Sequence, residues 1–281
     1  MRGSYAAELL KLRKRAASWV LLGAGLALSL TFGYLLPYVA YATGDPSPQT
    51  DGQPAEVVLQ SVLPGSFVAN AIGGFPVFAG ALALVLGALV AGGEYGWGTL
   101  KTILTQGPGR FAVLGGQLAA LATVLLGWVL VIAAGCAASS AAIALAEGRA
   151  LAWPSLAHLA GGLGAGWLVL LAWGMAGALL GTALRGVALP IGLGVVWVLA
   201  VEALVSGVAA GLLPGFQAVA DVLLGVNAGS LVWAVTSYAA GEPSPGVNDA
   251  VSGTRALVTI GCYVLAFAVA AAGTLRRRDV I

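Results

Sequence analysis

Between Gly92 and Arg110 the sequence GGEYGWGTLKTILTQGPGR gathers Glu94, Lys101 and Arg110 into one short polar interruption between two long apolar runs. A carboxylate so placed can bond a helix start, pair with Arg110 or meet a basic partner. Glu202 is the other acid that stands out, close to the end of an apolar run. It could line a cavity and meet a cationic substrate or Arg255, or it could be a carboxylate at the outer headgroups. An acid at the middle of a membrane helix costs about 2.5–3.5 kcal/mol on insertion scales, and less toward the interface. His158 is the single histidine, just outside the start of the fourth span, and reads as an interfacial structural residue rather than a metal or proton site; the G-x-S-G signature of an intramembrane serine protease is missing and metal ligands are lacking. Cys136 and Cys262 both sit in apolar runs and read as small buried hydrophobes. Ser139 and Ser140 read as hydroxyls bonded back to their own helix. A phosphate loop is missing: the nearest imitation, GTLKT at 98–102, lacks its Gly-Lys pair. The chain is therefore expected to be no enzyme, with no catalytic residue, metal or cofactor of its own.

The elements that position these residues follow from composition. Of 281 residues, 59% are hydrophobic and 9% charged, against about 25% charged in a soluble domain. No soluble surface can be built from that, and the expected fold class is an all-α polytopic membrane protein, a single transmembrane domain over 1–281. Six runs are long enough to cross a bilayer, which takes about 20 apolar residues: 17–41, 66–91, 112–146, 157–183, 187–206 and 255–275. Lipid offers no partner to an open backbone, so all six are expected to be helices. The first resembles a signal peptide ending at Ala40-Tyr41-Ala42, but its apolar core is too long for one and reads as a retained span.

Lys and Arg set the orientation. With the N-terminus inside, 11 of the 13 fall on the inner side, and only Arg149 and Arg255 fall outside. Both termini are expected in the cytoplasm, which agrees with an even number of spans. Arg185, between the fourth and fifth spans, reads as an inner anchor. The segment 4–15, SYAAELLKLRKR, spaces Tyr5, Leu9 and Leu12 along one helical face, with Glu8, Lys11 and Arg15 on another. It reads as an interfacial helix on the inner surface, or as a plain basic anchor. Gly162 with Gly166, and Gly177 with Gly181, are spaced for close helix packing. Outside, residues 215–240 hold two apolar pieces too short to span, and these read as re-entrant or capping helices between spans five and six.

The interruption itself reads as a two-turn amphipathic hook at the inner face. Tyr95 and Trp97 suit the headgroup level, and Thr99 is placed to cap a short helix. Leu100, Ile103 and Leu104 share one face, with Lys101 and Gln106 off it. Gly107-Pro108-Gly109 ends the hook and Arg110 opens the third span. On physics alone two readings stay open, a loop helix resting on lipid headgroups or a contact for a partner protein. Glu94 gains nothing from an anionic leaflet.

Glu94, the pair Gly98-Thr99, Lys101, Pro108 and Arg110, directly after the second of six spans, resemble the permease subunit of ABC transporters of the type-2 exporter class. The ending TLRRRDVI, from Thr274 to Ile281, and the opening AELLKLRKR resemble the same family. The likeness covers the chain in layout and three short stretches in residues; Gly109 departs from the small hydroxyl residue usual before that Arg. The resemblance implies that Glu94, Gly98, Thr99, Leu100, Lys101, Ile103, Leu104, Pro108 and Arg110 form a coupling helix against a separate cytoplasmic ATPase. It implies two ATPase copies, which hold the ATP and Mg, and a second permease chain, identical or similar. The implied function is outward movement of an amphiphile, peptide or lipid across a prokaryotic cell membrane, with no nucleic acid involved. A secondary transporter driven by an ion gradient is the alternative, for which Glu202 is the candidate.

Overall fold

Each apolar run becomes a helix because that is the one way to satisfy its backbone in lipid. The computed structural model describes residues 2–44, 52–96, 98–99, 102, 105, 109–206, 216–236 and 244–277, and it contains helices and no strand among them. In chain order the helices are α1 (Arg2–Lys14), α2 (Ala16–Thr43), α3 (Ala55–Val62), α4 (Pro64–Gly96) and α5 (Arg110–Ala146). They continue with α6 (Leu156–Leu184), α7 (Ala188–Leu204), α8 (Phe216–Ala220), α9 (Leu224–Val235) and α10 (Gly253–Arg277). The chain is a transmembrane helical bundle: α2, α4, α5, α6 and α10 are each long and apolar enough to cross a membrane. The expected run 187–206 forms the shorter helix α7, and the outer segment contains the two short helices α8 and α9.

Helix ends follow local signals. Ser155 precedes α6 and its Oγ accepts the His158 N–H at 3.3 Å, which satisfies one of the free donors of the first turn. Arg185, at the other end of α6, has a left-handed φ of 51°. At 37 residues, α5 is about 55 Å long at 1.5 Å per residue, against a hydrocarbon core of about 30 Å. It is therefore longer than that layer is thick, and α1 packs across its N-terminal part: Ser4 and Tyr5 lie against Gly116, and the Tyr5 hydroxyl is 3.1 Å from Thr123 Oγ1.

Two helices make the centre. In α4 and α6, 67% of the apolar window is buried, against 17% in α2 and α10, so the first and last long helices stand at the periphery. Glycine sets how closely α4 and α6 approach. A Cβ on Gly177 would run into the Leu84 carbonyl, and one on Gly181 would come within 3.0 Å of the Ala88 carbonyl. Gly162 and Gly166 receive Val68, Ile72 and Phe75 in the same way. Both Gly-x-x-x-Gly pairs are thus used within this chain, Gly177 and Gly181 against backbone and Gly162 and Gly166 against side chains, where close packing replaces the hydrophobic drive that lipid does not supply.

Three helices carry a π-helical turn: Thr31–Leu35 in α2, Phe75–Ala79 in α4 and Trp197–Val201 in α7. In α4 the turn frees the Pro76 carbonyl, which accepts the buried Trp173 indole N–H at 3.1 Å. Near the C-terminal ends of α2 and α5, Tyr38 and Tyr41 donate to the two oxygens of Glu147 at 2.8 and 3.1 Å, and Arg149 pairs with Glu56 at 2.7 Å. Ser140 does not bond back to its helix; its Oγ is buried without a partner, as is the Tyr34 hydroxyl.

Candidate functional site

At the C-terminal end of α4, the last turn places Glu94 against α1, and its exposure is 4%. Two donors converge on it. Lys11 Nζ bonds one oxygen and the Thr99 hydroxyl donates to the other. Lys11 also reaches Glu8 Oε2, at 2.5 Å, so two carboxylates, both nearly buried, share one ammonium. Arg15, just past the end of α1, donates from Nη1 to the Leu89 carbonyl at 3.0 Å, five residues before Glu94.

The loop chemistry explains why Gly98 and Thr99 stand where they do. Gly98 has φ of 66°, a left-handed conformation that costs a side-chain-bearing residue about 1–2 kcal/mol. A Cβ there would meet nothing within 4 Å, so it is the backbone alone that requires glycine. The Gly98 N–H bonds the Tyr95 carbonyl at 3.2 Å, the turn reverses the chain, and Thr99 is carried back onto Glu94. The Thr99 hydroxyl is thus committed to Glu94, although the sequence suggested a helix cap.

Burial raises Glu8, and the bond and charge of Lys11 pull it only partly back. Burial would lower Lys11, but its bonds to Glu8 and Glu94 outweigh that and leave it raised. Burial lowers Arg15. A buried ion pair is justified energetically only when its geometry and remaining hydrogen bonds are good, and here Thr99 supplies one of those bonds.

The other sequence-derived candidates divide. Arg110 opens α5 as expected, but it is not brought to Glu94; its Nη1 donates to the Leu275 carbonyl at 3.2 Å. A cation at the last turn of α10 is favourably placed for the helix dipole. Leu100, Lys101, Ile103, Leu104 and Pro108 lie outside the described residues. Thr102 and Thr105 have helical backbone.

Glu202 is 5% exposed and is held by neighbouring protein groups. It does not meet Arg255, which is 3.6 Å from Asp221. Instead Glu202 Oε2 accepts the Gly225 N–H at 2.6 Å and Oε1 accepts the Trp197 indole N–H at 3.1 Å. Gly225 is the second residue of α9, so the carboxylate sits at that helix's N-terminus, where the dipole favours negative charge.

The sequence reading did not include Glu8, Lys11 and Arg15 in the site, having placed them on a different face of the helix from Tyr5, Leu9 and Leu12. In the structure Glu8 and Leu12 form the buried side of α1. A signal was present: Glu8 is an acid among inner cations, as hard to explain by lipid as Glu94, and it stands three residues before Lys11, the spacing of a helical ion pair. Neither a protein-family model nor a curated protein matches this chain.

Proposed function

We propose that this chain is the membrane-spanning permease subunit of an ATP-driven ABC exporter in a prokaryotic cell membrane, with both termini in the cytoplasm. It works with a separate ATPase in two copies and a second permease chain, and it moves an amphiphilic compound, peptide or lipid. The observation that carries this reading is the knot at Glu94. The turn leaving the second long helix is tied by Thr99 to a buried carboxylate, and through Lys11 to α1. A partner pressing on residues 98–105 would therefore move α1 and α4 together, where a loop resting loosely on lipid would give way. The short helix α7 supplies the sixth crossing in this reading: 17 residues stand at the lower end of the range that spans a bilayer.

The test is purification of the tagged chain from native membranes in mild detergent, asking whether an ATPase bearing a phosphate loop comes with it. Glu94→Arg should insert normally and lose that ATPase. If the chain comes down alone, or if the variant keeps a full complement of ATPase and transports normally, the coupling assignment is wrong.

Glu202 favours the alternative of a secondary transporter, because it is an acid buried within the bundle, and such acids mark ion pathways. Its two bonds to Trp197 and Gly225 give it a fixed structural task, which places this reading second. Efflux from ATP-depleted vesicles that follows an imposed proton or sodium gradient, and stops in Glu202→Gln, would reverse the order.

A further inference from the structure

Among the described residues no cation reaches the buried carboxylate of Glu202. Its partners are two neutral donors, the Trp197 indole N–H on Oε1 and the Gly225 N–H on Oε2, and no charged side chain acts on it. The sequence shows why. From Gly186 to Thr254 there is no Lys, Arg or His, while the same stretch holds Glu202, Asp221, Glu242 and Asp249. Arg255, the first cation after it, lies at Asp221. The knot at Glu94, by contrast, has both Lys11 and Arg15 acting on its two carboxylates. A buried charge without a partner of opposite sign is costly. The two bonds of Glu202 are not equivalent. A Cβ on Gly225 would strike Glu202 Oε2, so that contact is built into the packing of α9. Trp197 is 47% exposed and stands in the π-helical turn of α7, a feature frequent at functional sites. Leu189, Leu193 and Val196 continue the exposed side of α7 from it. Trp197 thus covers Glu202 from an open apolar face, and it is the partner able to leave.

We propose that Glu202 binds the head of a cationic amphiphile, a protonated amine on an apolar chain, whose N–H replaces the Trp197 indole N–H at Oε1 while the Gly225 bond to Oε2 stays. The apolar chain lies along Leu189, Leu193 and Val196. An ammonium brings the opposite charge that the indole cannot, together with N–H donors for a charge-assisted bond. The displaced Trp197 ring, and Trp173 beside Gly225, offer aromatic faces to a cation. An anionic amphiphile would meet the uncompensated acids of residues 186–254, and an uncharged one would replace the indole bond with no gain in charge. The inference names the cargo class within the reading of this chain as an exporter of amphiphiles and rests on it, but the binding itself needs no ATPase.

The test uses the full chain, purified in non-ionic detergent without any ATPase, with dodecylamine, dodecanol and dodecyl sulfate offered separately at the same trace mole fraction and neutral pH, where the amine is protonated. Native mass spectrometry reads the amphiphile retained. The amine should be retained about tenfold over the alcohol, the equivalent of about 1.4 kcal/mol, and the sulfate least of all. Glu202→Gln should bring the amine down to the level of the alcohol. Trp197→Phe removes the competing N–H and keeps a ring, so it should raise amine retention above wild type, which a purely structural Glu202 would not do. Equal retention of amine and alcohol, an amine preference intact in Glu202→Gln, or a Trp197→Phe value at or below wild type would each overturn the proposal. Should Glu202→Gln not fold, Trp197→Phe decides alone. Failure here leaves the coupling assignment at Glu94 standing, whereas a chain that purifies without an ATPase yet prefers the amine loses its motor and keeps this site.

Discussion

Lys11→Met isolates the knot at the C-terminal end of α4 with the smallest change in shape. It removes the ammonium that Glu8 and Glu94 share and keeps most of the stem volume. Removing one partner of a fully buried pair costs about 3–5 kcal/mol, because the other charge is left uncompensated. Lys11 is 41% exposed at its side chain, so water reaches part of the gap and the cost is discounted to about 2 kcal/mol. In a chain of this size that corresponds to about 4–8 °C in the unfolding midpoint. The assay is thermal unfolding in detergent, followed by tryptophan fluorescence, on wild type, Lys11→Met, Glu94→Gln and the double variant. Since the two side chains touch, the cycle should give a coupling of about 1–3 kcal/mol, and the double variant should be more stable than the sum of the single losses implies. Additive losses, or a Lys11→Met midpoint equal to wild type, would show that the pair does not hold α1 to α4.

The turn at Gly98 gives a second expectation: Gly98→Ala should cost about 1–2 kcal/mol from backbone conformation alone, and Thr99→Ser should behave as wild type where Thr99→Val does not, both read as unfolding midpoints. The pH dependence has a definite sign. Glu8 and Lys11 are both raised above their ordinary values of 4.5 and 10.5. A raised group contributes stability that is full below its unfolded value and lost as pH rises through the folded one. The contact of α1 with α4 should therefore weaken as pH rises above about 4.5, and again above about 10.5. Thiol labelling of Leu12→Cys, a buried position, should report this, and Glu8→Gln should flatten the acidic step. At the start of α9, Glu202→Leu should cost about 2 kcal/mol through the lost charged hydrogen bonds and speed hydrogen exchange at Gly225, whereas Glu202→Gln, which still accepts from Trp197 or Gly225, should show about half the effect; exchange unchanged in Glu202→Leu would refute its role there.

The extent of each helix was written locally. The expected runs 157–183 and 255–275 correspond to Leu156–Leu184 and Gly253–Arg277, because a continuous apolar run in lipid has no alternative to a helix. Ser155, Gly98 and Gly148 mark breaks for equally local reasons of capping and left-handed turns. Lengths near the limit were less legible. The run at 187–206 includes a π-helical turn at Trp197–Val201, which no local pattern announces because it depends on what packs around Trp197 and Glu202.

Facing and pairing were not written locally, and the physical reason is the solvent. In water a polar stripe marks the outside of a helix, but α5 and α6 are apolar all round, so their sequences carry no stripe that separates lipid from core. The Gly-x-x-x-Gly spacing marked Gly177 and Gly181 for close packing, but nothing in the pattern shows that their partners are the Leu84 and Ala88 carbonyls of α4. For α1 the stripe misled, because it assumed that charge faces outward, whereas a carboxylate can be buried once a partner is brought to it. Lys11 and Glu94 are 83 residues apart, and only the packing of α1 against the ends of α4 and α5 makes them neighbours. The sequence by itself determined a multi-pass all-helical chain and a polar break holding Glu94; the tertiary structure decided which charges share that break, because ion pairs form between helices that no local pattern links.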